Sequence, residues 1–599
     1  MKYSLYLVII LLLIGFVERK IWQKEIIGGG DAWGYYVYLP AIFIHDDIKS
    51  LETSYKTRIQ YKASGWIADK EIVTEAYQAG QNKVIKYTIG IALLEFPYFV
   101  IAHITAGLSG YPQDGCSLPY MFIVNLGLLI YVFLGLYYLE KWLNLYYDKS
   151  TTGGLLLLLG LGTNLYFFAL TAMAHATLFS LYAILLYNTE LFFRQKEHKH
   201  LIGIGLSIGF IILIRPVELL CVLIPLLYSL GLENGTHYTA NGLIQRLLFI
   251  KKEYKRILLT ALIPIGIGSV QLFYWQHVSG SWLFYSYGGE SFDFKNPHIY
   301  EGLFSFQNGW FVYTPLMATL VLGLFFYKNK LLRANYLLIG VFFSTHIYIT
   351  YSWWCWQYIN GLGSRPMVDI YAVAMIPLSA VWVYLYNKIK LLGLTLGLFF
   401  ISLNLFQTYQ QWQGIIWAEA GSKQFYLQTF FKPYLEYNDL IAMDIDYHQP
   451  KKEELNNIKL LAELEVKDKK IAPAQFSENL HLDTNQNQLI KAKTWLKISC
   501  KAQKNYTGAD IYRMSALVIE VREEGKEKPR VWKGIRVDNK IACGDEISLW
   551  GGKKDLWGWV YFYYQLDTDL SDKMRLKTYL WNNSPYAVQL DSLKVEMVN

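Results

Sequence analysis

Runs of mostly apolar residues recur from the start of this chain to about residue 410 and then stop. Many approach the roughly 20 residues that a helix needs to cross hydrocarbon. Inside a bilayer each backbone polar group has to be satisfied within its own segment, so such runs commit this part of the chain to α-helix. The spans read from the sequence begin with Tyr3–Val17 and end with Leu391–Thr408, and include Leu118–Leu143, Gly153–Leu170, Val217–Leu232 and Phe311–Tyr327. Together they make about eleven spans. With 53% hydrophobic residues among 599, the chain is too apolar for one soluble domain; a membrane domain followed by a soluble one fits the distribution.

The formal net charge of +8 does not point to nucleic acid. Lys and Arg gather in short loops, Arg194–His200, Lys251–Arg256, Lys328–Arg333 and Lys388–Lys390, which is the pattern of cytoplasmic loops. Counting the apolar stretch Tyr87–Ala106 as a span would turn all four loops outward. That stretch, which contains Pro97, is therefore expected to be a juxtamembrane or re-entrant helix on the outer side. Glu18, Arg19 and Lys20 follow Tyr3–Val17 where a signal peptide would show small residues, so an uncleaved first span is expected. The N-terminus then lies in the cytoplasm. The outer side collects Glu18–Lys86, His277–Trp310, Ser352–Met367 and a hairpin turn at Arg215-Pro216.

The expected domains are 1–410, a transmembrane domain whose first extracytoplasmic loop with its juxtamembrane helices covers 18–117; 411–456, a linker of helical character; and 457–599, an extracytoplasmic all-β sandwich. Thr494–Ser499, Ala516–Val521, Gly558–Tyr564 and Leu576–Trp581 alternate as strands do, with a turn at Trp581–Pro585 before Val588–Val598. Cys500 and Cys543 both fall in that domain, where a disulfide is permitted by compartment and not demanded by spacing. No Cys or His spacing marks a zinc site.

Ionisable residues at the mouths of spans are functional candidates, because hydrocarbon excludes charge. Asp31 follows Gly28-Gly29-Gly30 and is flanked by Trp33, Tyr35 and Tyr36; its alternative is a helix cap. Lys86 could instead be a snorkelling lysine and Arg215 could anchor to headgroups, while Arg365 is preceded by a glycine-containing loop and Trp353-Trp354. His175, Glu290 and Asp293 have structural or solvated alternatives, and Asp46 and Asp47 read as helix-end acids. Trp353 and Trp354 belong either to the interfacial belt or to a surface that stacks a sugar or prenyl chain.

Four segments together resemble the GT-C superfamily of multispanning glycosyltransferases, which includes protein O-mannosyltransferases and lipid A aminoarabinose transferases. They are Gly30-Asp31-Ala32-Trp33-Gly34-Tyr35-Tyr36 through Asp47, Lys86-Tyr87-Thr88-Ile89-Gly90 through Pro97, Asn308–Pro315, and Tyr351-Ser352-Trp353-Trp354 through Arg365-Pro366. The likeness is nearest to bacterial membrane glycosyltransferases of unassigned acceptor and covers about the first 410 residues. It implies a catalytic acid in the first outer loop, at Asp31, a lysine holding the donor phosphate, at Lys86, and a polyprenyl-phosphate sugar as donor. Where some relatives carry a second acid at the outer start of the fourth span, this chain has Ala174-His175-Ala176, so a divalent metal is left open. The C-terminal part resembles carbohydrate-binding jelly rolls by pattern alone.

On this resemblance Asp31 is the base that deprotonates an acceptor hydroxyl, and Lys86, Arg365 and Arg215 face the donor phosphate. Tyr35, Tyr36, His175, Trp353, Trp354 and Glu290 line the substrate. The expected activity is inverting transfer of a sugar to a glycan, lipid or protein acceptor at the outer face of a bacterial inner membrane, with the sandwich in the periplasm positioning the acceptor. A flippase for lipid-linked sugars and a non-catalytic glycan-binding membrane protein are the rivals.

Overall fold

The computed structural model describes residues 3–598 apart from 62–75, 230–239, 327–328, 360, 417–420, 446–449, 451–454, 456–457, 484–485, 487–489, 505–513, 527, 542–555, 568, 571–572 and 585. Two compact units divide the chain, Met1–Tyr409 and Gln410–Asn599.

The first unit is helical among its described residues except for one hairpin, β1 (Ala76–Ala79) and β2 (Asn82–Ile85). Among the described residues five helices are long and apolar enough to cross a membrane: Gly90–Leu108, Leu118–Leu143, Ala174–Gln195, Tyr254–Ser279 and Lys390–Trp412. That number is smaller than the eleven spans expected: some apolar runs are short or broken, and others, such as helix Lys330–Tyr351, are long without the same apolarity. Gly153–Leu170 divides at Thr163 into helices Lys149–Gly162 and Leu165–Ala169. Phe311–Tyr327 breaks at Thr314-Pro315, where proline restricts the residue before it and lacks an N–H for the helical ladder. Val217–Leu232 opens as a 3₁₀ turn, Pro216–Val222, before helix Leu223–Leu227.

Gly90–Leu108 satisfies the length and apolarity of a span, although the charge pattern set this stretch aside as juxtamembrane. Pro97 lies inside the helix without ending it. Both flanks are tied to one stretch of the first loop, for Tyr38 donates to the Tyr87 carbonyl and Tyr36 to the Gly115 carbonyl, each at 2.6 Å.

The second unit carries β3 (Ile458–Ile471), β4 (Leu480–His481), β5 (Trp495–Lys504), β6 (Ala516–Glu523), β7 (Val531–Arg536), β8 (Leu556–Gln565), β9 (Met574–Trp581) and β10 (Val588–Val598). They form two four-stranded antiparallel sheets, β3-β10-β5-β8 and β4-β9-β6-β7. The pairing is nested, first strand with last and inward to β6 with β7, which is a double Greek-key winding. Alternate residues turn inward: Leu496, Ile498 and Cys500 from one sheet and Leu517, Ile519, Leu576 and Leu580 from the other share the core. Cys500 is buried there, and Cys543, its possible disulfide partner, lies outside the described residues.

Part of the expected linker belongs to this core. Helices Lys423–Thr429 and Tyr437–Ala442 precede Ile445, and Ile441, Ala442 and Ile445 pack with the strands. Tyr437 donates to the Tyr561 carbonyl at 2.7 Å. Asp444 pairs with Arg536 and, at 2.5 Å, with the fully buried Lys540 ammonium. Apolar residues at helical spacing found a place in the sandwich because the carboxylate beside them answers a buried cation. Asp444→Ala removes that partner and leaves Lys540 buried and uncompensated, a change expected to cost about 3–5 kcal/mol. Thermal unfolding of the whole protein, followed through the β domain, checks this value.

Candidate active site

Asp31 sits in the first turn of helix Gly30–Tyr36, and the residue at the cap position is Gly29 in extended conformation. The approach to that turn is fixed by Arg58, buried, which donates from Nε to the Ile27 carbonyl at 2.9 Å and from its guanidinium to the Gly29 carbonyl at 3.2 Å. The same guanidinium lies over the Trp33 ring, 4.8 Å from its centroid. The Asp31 carboxylate is thus no cap. It accepts the Tyr87 hydroxyl on Oδ1 at 2.5 Å and pairs through Oδ2 with Arg365 at 2.9 Å, with 24% of the Asp31 side chain and 14% of that of Arg365 still exposed.

Arg365 is delivered by a loop that long-range bonds pin in place. Gly363 has φ +73°, a region costly to side chains, and a Cβ there would meet Tyr313 at 2.8 Å. Asn308 accepts the Gly363 N–H at 3.1 Å and donates to the Gln357 carbonyl at 2.9 Å. Asn164, freed by the helix break at Thr163, donates to the Leu362 carbonyl at 2.7 Å, and Tyr351 donates to the Ser364 hydroxyl at 2.9 Å. Arg365 Nε is buried without a hydrogen-bond partner among the described residues, so one donor of the fork remains unused.

Lys86 follows β2, which is anchored where Ile85 donates to the Tyr274 hydroxyl at 2.9 Å. Its ammonium pairs with Glu290 and lies 5.2 Å from the Tyr287 ring centroid. Gly90 brings this segment against Arg215, since a Cβ there would lie 2.8 Å from the Ile214 nitrogen. Arg215 in turn pairs with Asp369 at 2.6 Å, and the other oxygen of Asp369 meets His175 Nδ1 at 2.7 Å. Beneath this group Tyr182 donates to Glu218 at 2.6 Å, and His346 lies 3.6 Å from the same carboxylate. Tyr35, Tyr87, Tyr287 and Trp353 form a continuous aromatic wall with ring centroids 4.8, 6.4 and 5.7 Å apart in turn.

The structure therefore brings Asp31, Lys86, Arg215, Arg365, His175, Tyr35, Trp353 and Glu290 into one cluster. Tyr36 departs from the expectation that it faces substrate. One helical step from Tyr35 turns it the other way, where it is fully buried and bonded to Gly115. Glu290 faces Lys86 instead of an open acceptor surface, and Trp354, exposed, donates to it at 3.2 Å. Asp47 is nearly buried and accepts the Ser54 N–H at 2.9 Å and the Ser54 hydroxyl at 2.6 Å, a structural role. Asp293 accepts the Lys295 and Asn296 N–H groups of an exposed turn. Sequence reasoning missed Tyr87, Tyr287, Arg58 and Asp369. The last carried a signal, being an acid at the start of an apolar run four residues after Arg365.

Burial opposes charge at Asp31, yet the Arg365 guanidinium, the Tyr87 hydroxyl, His175 and Lys86 outweigh it and hold the carboxyl below its ordinary value. Burial and the adjacent Asp31 carboxylate push the Tyr87 phenol well up, so it stays a donor. Each acid of the cluster is engaged by a cation: Asp31 by Arg365, Glu290 by Lys86, Asp369 by Arg215. A divalent metal needs converging free oxygens, and among the described residues no group of three or more His, Cys, Asp or Glu is placed to hold one. Among the described residues the donor set of this cluster does not fit a metal.

Beside Arg215 an apolar groove of about 460 Å³ is lined by Pro216, Leu219, Leu220, Leu223, Phe294 and Ile349 among others. Phe292, also in its wall, lies 4.7 Å from the Trp353 ring centroid.

No family model matches the chain, and a search of curated proteins finds no match. Among solved structures, the arabinosyltransferase EmbB of Mycobacterium smegmatis aligns over 99% of this chain and 64% of its own length, at 10% identity and TM-score 0.32. The chain thus spans under two thirds of that structure, and a TM-score of this size establishes neither a shared fold nor a shared activity.

A carboxyl held below its unfolded value adds stability that is present above the unfolded pKa, near 3.9, and is lost as pH falls through the folded value. The melting-temperature gap between wild type and Arg365→Gln is accordingly expected to stay constant from about pH 8 to 5 and to shrink below about pH 4. A thermal-shift series on purified protein across that range checks it.

Proposed function

We propose that this protein is an inverting membrane glycosyltransferase of the GT-C type that takes a sugar from a polyprenyl-phosphate donor. The observation that carries the reading is the Asp31 carboxylate set against Arg365, with Lys86 and Arg215 in the same cluster and an apolar groove alongside. A lipid-linked sugar phosphate needs each of these: an apolar channel for the chain, cations for the phosphate, and a base for the acceptor.

The donor's bond between the anomeric carbon and phosphate is already activated. An acceptor hydroxyl gives its proton to Asp31 while its oxygen attacks the anomeric carbon from the face opposite the phosphate. The carbon–oxygen bond to phosphate breaks, and polyprenyl phosphate leaves with the electron pair, with configuration inverted at the sugar. Arg365, which keeps an unused Nε–H, and Lys86 receive the developing charge, the guanidinium as a planar fork and the ammonium as a point charge. The donor phosphate competes with Asp31 for Arg365, and each step it gains leaves Asp31 less neutralised and a stronger base. The aromatic wall of Tyr35, Tyr87, Tyr287 and Trp353 supplies the surface against which a sugar ring lies.

In this reading the site is on the extracytoplasmic face, the basic loops and the N-terminus are cytoplasmic, and the setting is a bacterial inner membrane. The acceptor is a glycan, lipid or protein reached from that face.

Purified protein incubated with radiolabelled polyprenyl-phosphate sugars and a membrane extract as acceptor source is expected to release labelled glycoconjugate. Asp31→Asn, which preserves size and one acceptor oxygen while removing the charge, is expected to lower transfer by about a hundredfold or more with the fold retained. Undiminished transfer by a folded Asp31→Asn protein, or translocation of donor across vesicles without any transfer, overturns the proposal.

A further inference from the structure

The outward face of an antiparallel sheet in water is normally polar, because only the inner face has a core to cover. On the β4-β9-β6-β7 sheet that face instead carries Trp532, Tyr579 and Trp581, with Phe476 from the preceding loop packed on Trp581. Trp532 is 46% exposed and Phe476 59%. They surround a cavity of about 510 Å³ that is also lined by Glu520, Arg522, Lys577 and Asn479. A hollow of this size is within the range of small-ligand sites.

The register explains why these groups meet. Glu520 lies between Trp532 on β7 and Lys577 on β9, and in the next row Val518 lies between Gly534 and Tyr579. Gly534, on the edge strand β7, puts no side chain on the outward face between the row of Trp532 and that of Trp581. Trp532 and Trp581 stand edge to face with centroids 6.2 Å apart. The walls are held before any ligand arrives. Trp532 Nε1 donates to the Tyr579 hydroxyl at 3.0 Å, and Tyr579 donates to Glu520 at 3.1 Å. Glu520 also accepts from Arg522 at 2.8 Å and pairs with Lys577 at 3.4 Å. Groups fixed in this way lose little freedom on binding, which lowers the cost of association.

We infer that this cavity is a glycan-binding site, separate from the Asp31 cluster, that takes a short stretch of pyranose sugars. A pyranose ring has an apolar face of C–H groups and a rim of hydroxyls that both donate and accept. The electron-rich faces of Trp532, Trp581 and Phe476 suit the C–H face, and Glu520, Arg522, Lys577 and Asn479 suit the rim. A purely apolar protein segment would have to bury three charged side chains against hydrocarbon, which this lining disfavours. The site rests on the second unit's geometry and does not depend on the transfer chemistry proposed above.

Its test uses the full-length protein with Asp31→Asn, which separates binding from turnover. Calorimetric titration with defined α- and β-linked hexopyranose tetrasaccharides, one set neutral and one carrying uronate, is expected to show saturable binding of at least one of them. Trp532→Ala and Trp581→Ala are each expected to weaken it about three- to tenfold, as loss of one aromatic stacking contact does. Trp559→Ala, on the other sheet, leaves it unchanged. Absence of binding to every tetrasaccharide, or binding that survives the double Trp532→Ala, Trp581→Ala variant in folded protein, overturns the inference. Failure of transfer with this binding intact would count against the enzyme reading alone.

Discussion

Charge taken out of water is tolerated in a protein only where an opposite charge and hydrogen bonds replace the solvent, and the Asp31–Arg365 pair is where this chain meets that condition. The two residues come from opposite ends of the helical unit, so the pair can form only when the first loop and the segment after helix Lys330–Tyr351 are both in place. Two further pairs repeat the arrangement, Lys86 with Glu290 and Arg215 with Asp369. A cluster of three cations alone would repel itself. With three carboxylates interleaved it becomes compact, and each cation is held at a known place and remains partly exposed.

What holds the pair is a set of small residues and amides far from it in sequence. Gly90 and Gly363 are two of the points where backbone approaches other atoms too closely for a side chain. Asn164 and Asn308 satisfy the backbone of the loop leading to Arg365, and Arg58 does the same for the turn leading to Asp31. The broken helix at Thr163 follows the same logic. Thr163 bonds back to the Leu159 carbonyl at 2.6 Å, the ladder ends, and Asn164 is released to reach Leu362 and to accept the Tyr371 hydroxyl at 2.5 Å. An uninterrupted span would have hidden that amide against its own helix.

The apolar runs and the charge of Asp31, Lys86, Arg215 and Arg365 could be read in the sequence because exclusion of charge from hydrocarbon is a local rule. Strand alternation in the last part of the chain is equally local: β6 and β9 begin within two residues of the expected strands. Span integrity was legible only in part: the break at Arg215-Pro216 was expected as a turn, whereas Thr163 and Thr314-Pro315 interrupt runs that read as single spans. Tyr36 and Tyr35 look alike in sequence, and only the helical step separates the ring that packs against Tyr87 from the one bonded to Gly115. Asp369 carried a local signal, an acid at the start of an apolar run, but its partners Arg215 and His175 lie more than a hundred residues away and could not be read from it. The residues after Gln410 looked like a connector because short amphipathic helices do not reveal which surface they complete.

The three ion pairs are not equivalent, and the difference orders events in the proposed transfer. Arg365 follows a loop fixed by Asn308, Asn164 and Tyr351, so its fork is stationary. Glu290 follows Gly288, at φ +58°, and Gly289, whose absent side chain faces open space, and is held by Tyr77 at 3.1 Å and Trp354 at 3.2 Å. Asp369 is fully buried and bonded on both oxygens, so Arg215 has no freedom to leave it. In the proposed transfer a phosphate meets least resistance at Lys86, whose partner Glu290 keeps neutral donors in Tyr77 and Trp354 when the ion pair opens, and then at the partly exposed Arg365. Arg215 keeps its partner and contributes field without contact. Binding energy is thereby drawn first from the pair that costs least to open, and Asp31 loses its neutralising partner only after the phosphate is already held.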